Sequence, residues 1–168
     1  MARPNLITQY MTASLPSPAV QKRLPFRPTH EQVVKLYKNI NRYVFDNQLT
    51  QPEIILKGNL RKSWAFCDWR YYPQKLGRST RPDTYCKIVL MDKWFCPQWF
   101  CNTLAHEMVH QYQWDIERFD SNYQIHIAGG PHGPSFFVWR DHFSKFGLHL
   151  KTSHGMRRWL QHQDFRKC

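Results

Sequence analysis

The segment His106-Glu107-Met108-Val109-His110 constrains this chain more tightly than any other feature of it. On an α-helix, residues four apart lie one above the other on a single face, so both imidazoles reach one metal ion. Glu107 lies beside the first histidine and can address a water at the ion's open position, which is the mechanical reason behind a His-Glu-x-x-His pattern. The segment is therefore expected inside a helix running from about residue 98 to residue 117 or a little beyond. Leu104, Met108 and Val109 give that helix an apolar face. A surface helix with two solvated histidines satisfies the same spacing, so the pattern needs support from the rest of the chain.

Catalytic zinc takes three protein ligands and leaves a fourth position to water. Candidates for the third ligand are Glu117, Asp120, His126 and His132. A metzincin spacing is excluded, because it requires Gly at 113 and His at 116, where this chain has Gln113 and Ile116. His132 sits in Gly129-Gly130-Pro131-His132-Gly133-Pro134, a turn able to swing a side chain back over the preceding helix. Packing of Phe136 would fix that turn, and His132 is the preferred ligand. His126, between Ile125 and Ile127, reads as a strand or core residue, and Glu117 lies close to the helix end.

The rest of the chain reads as one α+β domain, of a length that buries a core without disulfide staples. Residues 1–27 carry four prolines and several cations with no acid, and read as a flexible basic arm. The domain proper is expected over 28–150, followed by a basic tail over 151–168. Thr29 and Gln32 form a capping box, and Val33, Leu36, Tyr37, Ile40, Tyr43 and Val44 recur at helical spacing. This N-terminal helix is expected to end near Asn47. Strands are expected over 53–57, 63–70 and 84–91, forming a short three-stranded antiparallel or mixed sheet. In the second strand Trp64, Phe66 and Asp68 are placed on one side. A further C-terminal helix is expected from about Ser135 to Phe146, ended by Gly147.

The formal net charge of +12 attracts anionic partners, nucleic acid first and an anionic membrane surface second. A basic protein that is merely soluble is the plainer alternative. The candidate phosphate contacts are Arg61, Lys62, Arg70, Lys75, Arg78, Arg81, Arg157 and Arg158. Trp64, Trp69, Tyr71 and Tyr72 lie among these cations, where bases could stack on them, although Trp64 reads better as a core residue. The five Cys show no Cys-x-x-Cys pair, so no zinc ribbon or finger is legible. No secretory signal and no membrane-length apolar run are visible, so an intracellular location with mostly free thiols is expected.

Here a resemblance becomes specific. His106-Glu-Met-Val-His-Gln-Tyr112 followed by His132-Gly-Pro-Ser-Phe136 resembles the SprT-like zinc metalloprotease domain, the domain also found in Spartan. Upstream, Tyr43-Val-Phe-Asp-Asn-Gln-Leu49 with Pro52-Glu-Ile-Ile55 resembles the family's helix end and first strand. Trp64-Ala-Phe-Cys67 and Lys87-Ile-Val-Leu90 resemble its next strands. The likeness covers roughly residues 30 to 147. It implies a small zincin-like fold, one Zn2+ per chain and proteolysis of a protein substrate, with His132 as third ligand. It also implies an association with DNA, where Spartan-type enzymes degrade crosslinked proteins. The Cys-based zinc ribbon that often ends bacterial members is not matched here, since only Cys168 lies in that region. DNA contact would fall to the basic arm, loop and tail.

On this reading His106, His110 and His132 hold zinc, and Glu107 is the general base that later hands its proton to the leaving amine. Asp115 or Asp141 could orient a ligand imidazole. The sequence singles out no residue to assist the oxyanion; Tyr123, His126 and His142 are only nearby along the chain. The competing readings are a non-enzymatic DNA-binding module with a closed structural zinc, a metallopeptidase with no nucleic-acid role, and a zinc amidohydrolase.

Overall fold

The computed structural model describes residues 26–58, 60, 63–71, 84–94, 96–119 and 130–151. Helix α1 (His30–Val44) opens with a complete capping box. The Thr29 hydroxyl accepts from the Gln32 amide at 3.2 Å, and the Gln32 side chain accepts from the Thr29 amide at 2.8 Å. Two donors that a helix start leaves over are thereby satisfied. Val33, Leu36, Tyr37, Ile40 and Val44 form the buried stripe. Tyr43 falls outside it and is half-exposed under the Arg42 guanidinium. The helix ends three residues earlier than expected, because Asp46 and Asn47 turn to positive φ of 51° and 58°. These short polar residues tolerate that region better than most. Asn41 then pins the turn, donating to the Leu49 carbonyl at 2.9 Å and accepting from its amide at 3.1 Å.

Three strands form a mixed sheet in the order β1-β3-β2. Strand β1 (Glu53–Lys57) runs parallel to β3 (Thr84–Met91), with Ile54 opposite Ile88 and Leu56 opposite Leu90. Strand β2 (Ala65–Tyr71) runs antiparallel to β3, with Ala65 opposite Leu90 and Trp69 opposite Cys86. The central position of β3 explains its unbroken apolar run: Ile88, Val89 and Leu90 are all fully buried, on both faces of the sheet.

Phe66 is 37% exposed, whereas Ala65 is buried, Cys67 hydrogen-bonds Cys86 across the sheet and Trp69 stacks on Trp114 of the next helix. Residues 65, 67 and 69 therefore face inward, since side chains alternate along a strand. Trp64 precedes the strand and turns into the core beside Trp99 and Trp94, with ring centroids 4.5 and 5.6 Å away.

Helix α2 (Pro97–Asp115) starts with proline in its first turn, where no amide is needed. It lies against β2, α1 and the C-terminal helices. Trp99, Phe100, Leu104, Ala105, Met108 and Val109 are buried all round it. Phe26 closes one end by pairing its backbone with Trp94, at 2.7 and 2.8 Å, so Phe26 already belongs to the packed domain. After α2 a short 3-10 turn spans Glu117–Phe119.

The expected C-terminal helix is present as two short pieces, α3 (Pro134–Phe137) and α4 (Trp139–Ser144). Gly147, at φ 73°, terminates the second. The chain then returns across α2 with Leu148 and Leu150 buried. No helix among the described residues is long and apolar enough to cross a membrane. Cys67, Cys86 and Cys101 are free thiols.

Candidate metal centre

Helix α2 carries His106 and His110 one turn apart, and the turn before α3 carries His132 back to meet them. The three Nε2 atoms form a nearly equilateral triangle: 3.2 Å between His106 and His110, 3.1 Å from His132 to each. Phe136 of α3 backs the cluster, with its ring centroid 4.7, 5.0 and 4.8 Å from those of His106, His110 and His132. It is fully buried, so the turn is held over the helix by packing.

The outer nitrogens decide what the triangle can hold. His106 Nδ1 lies 2.8 Å from the Lys151 carbonyl oxygen, and His110 Nδ1 lies 2.9 Å from Gln113 Oε1. Both partners are acceptors, so both imidazoles are protonated at Nδ1 and direct Nε2 lone pairs inward. Burial lowers the pKa of His110 to about 4, against the Gln113 hydrogen bond and reinforced by the neighbouring His132. Burial lowers His132 as well. Lone pairs converging from neutral imidazoles repel one another unless a cation lies among them. The donor set, all imidazole nitrogen, suits zinc.

Glu107 follows His106 on α2 and is buried against β2. Burial pushes its carboxyl up to about 8, partly offset by the Cys67 backbone amide that donates to it. A carboxyl tuned towards neutrality is suited to taking and returning a proton.

Of the other sequence candidates, Glu117 lies in the 3-10 turn and is not in the metal-ligand group. Asp120, Tyr123 and His126 lie outside the described residues. So do Arg61, Lys62, Lys75, Arg78, Arg81, Arg157, Arg158 and Tyr72. Arg70 is placed by its backbone in β2. His142 Nε2 lies 3.1 Å from the Val44 carbonyl and so faces the end of α1. Asp115 is corrected as an imidazole partner: it accepts from Thr50 at 2.9 Å and Gln111 at 2.9 Å. Five residues beyond His110, it lies well round the helix from that imidazole. Asp141 is exposed on α4. Lys151 and Gln113 orient the imidazoles instead. The position of Gln113, three residues after His110 on one helix face, was the signal that could have found it. Nothing local marks the Lys151 carbonyl, which arrives from 45 residues away.

The family model described as the SprT-like family matches residues 33–154 of this chain, which include both helix histidines and the third-histidine turn. No curated protein matches the chain.

Proposed function

Since the chain belongs to the SprT-like family, which is metalloprotease-like, we propose that it is a zinc-dependent endopeptidase acting on DNA-bound or DNA-crosslinked proteins inside the cell. The observation that carries the catalytic half is the triangle of His106, His110 and His132 Nε2 atoms beside a buried Glu107. Three ligands gather among the described residues, which is the number a catalytic zinc centre keeps.

When bound, zinc supplies Lewis acidity here, making water a nucleophile near neutral pH and polarising a peptide carbonyl. Glu107 takes the proton from the attacking water and passes it to the leaving amine. The Lys151 carbonyl and the Gln113 amide hold His106 and His110 in the ligating tautomer. Phe136 keeps the cluster dry on one side.

Support for DNA is the net charge of +12, with the cations Arg61, Lys62, Arg70, Lys75, Arg78, Arg81, Arg157 and Arg158 as phosphate contacts. Base stacking on Trp64 and Trp69 is not proposed, because each half-buried ring is already engaged, with Trp99 and Trp114 respectively. The test is cleavage of a DNA-crosslinked protein by the purified chain. Activity should disappear with a chelator, return with zinc and depend on DNA, with binding that weakens steeply as salt rises. Cleavage that ignores DNA would leave a metallopeptidase with no nucleic-acid role. Tight zinc with no cleavage of any protein would favour a structural metal.

A further inference from the structure

Gln113 is 3% exposed, three residues beyond His110 on α2. Its side-chain nitrogen lies 3.1 Å from the Pro131 carbonyl oxygen and 2.9 Å from Ser135 Oγ, while its oxygen lies 2.9 Å from His110 Nδ1. A primary amide offers two donor hydrogens on nitrogen and acceptor lone pairs on oxygen. The opposite orientation would set two acceptor oxygens against each other at Pro131, with no bulk water to relieve them. The orientation is therefore forced by the neighbours. Because the oxygen must accept, His110 must donate from Nδ1, which leaves its Nε2 lone pair for a metal.

The same amide has a second consequence. Pro131 and Ser135 lie one residue before and three residues after His132, so the two hydrogen bonds hold both ends of the turn that presents it. We infer that Gln113 is a positioning residue serving two ligands at once: it sets the tautomer of His110 and tethers the His132 turn to α2. This rests on the metal-centre reading above.

Gln111 is a built-in control. It is fully buried on the same helix, yet its partners are Tyr37, Thr50 and Asp115, none of which touches a ligand. Zinc affinity should be measured on the full chain by competition with a chromophoric chelator, for the parent, Gln113→Met and Gln111→Met. Imidazole tautomers should be read by nitrogen NMR on the zinc-free proteins. Gln113→Met should weaken zinc about 10–100-fold and let His110 leave the Nδ1-protonated form. Gln113→Glu keeps an acceptor at His110 and should restore that tautomer while lacking the donor towards Pro131. Gln111→Met should lower Tm and leave zinc affinity within about threefold of the parent. Should Gln113→Met fail to fold, Ser135→Ala removes one of the two tethers and should weaken zinc in the same direction, by less.

Parent-like zinc affinity and tautomer in Gln113→Met would overturn the inference while leaving the zinc centre standing. Equal losses in Gln111→Met would overturn it too, by showing general damage to the helix. A parent chain that binds no zinc would remove the metal-centre reading and this inference together.

Discussion

Helices α1 and α2 place their polar residues in opposite ways. In α1, Glu31, Lys35, Lys38 and Arg42 are exposed, and the face that meets the domain is apolar apart from Asn41, which is spent on the turn at Leu49. In α2, Asn102, Thr103, His106, Glu107, His110, Gln111 and Gln113 are all buried. A polar group removed from water must find a partner or destabilise the fold by about 1–3 kcal/mol. Most on α2 find ordinary ones: Thr103 donates to the Trp99 carbonyl, Asn102 accepts from Gln98 and the His149 amide, and Gln111 joins Tyr37, Thr50 and Asp115. What distinguishes His106 and His110 is that their Nε2 atoms meet each other and that of His132. The contrast separates a helix that stabilises by amphipathic packing from one whose buried polar residues gather into a group able to hold a metal ion.

That contrast can be broken at several points, the largest effect first. Glu107→Gln on α2 should retain zinc, measured by metal analysis, and lower the rate of peptide cleavage by about 10²–10⁴-fold. An active variant would remove Glu107 from the mechanism. Phe136→Ala takes away the ring that all three imidazoles touch. It should destabilise by about 3–5 kcal/mol in urea unfolding and weaken zinc at the same time, whereas stability loss alone would reduce Phe136 to a core residue. On α1 the effects should be smaller and confined to stability. Thr29→Ala dismantles the capping box at a cost of about 1 kcal/mol, with zinc content unchanged. Lys38→Ala, on the solvated face, should stay within about 0.5 kcal/mol of the parent. Any effect of Thr29→Ala or Lys38→Ala on zinc would show that the two helices are less separable than their packing implies.

The two helices also differ in how much of them could be read without coordinates. The start and buried stripe of α1 follow from local rules, because a capping box and a 3.6-residue period act within a few residues of chain. Strands β1 and β3 occupy their expected residues for the same reason, each being a short apolar run bounded by a turn or proline. Which face of β2 turns inward was not legible, because an edge strand rich in aromatics shows two plausible faces. Only the packing of Trp69 on Trp114 and of Cys67 on Cys86 chooses between them. The C-terminal helix was legible as helical from Ser135 onward, but not its break at Val138, which is 70% exposed.

By itself, the sequence determined that two histidines and a carboxyl share one helix, since four-residue spacing has the same consequence in any α-helix. The type and order of the elements and the abundance of positive charge were equally available from it. Only the tertiary structure decided that the sheet is mixed, with β3 at its centre, and that His132 closes a triangle with His106 and His110. It also decided that Lys151 and Gln113, and not Asp115 or Asp141, complete the outer hydrogen bonds. Spacing along one element is a local property of the chain. Convergence of groups 22 and 45 residues apart depends on how the turn before α3 and the return after α4 pack against α2, and no local rule encodes that.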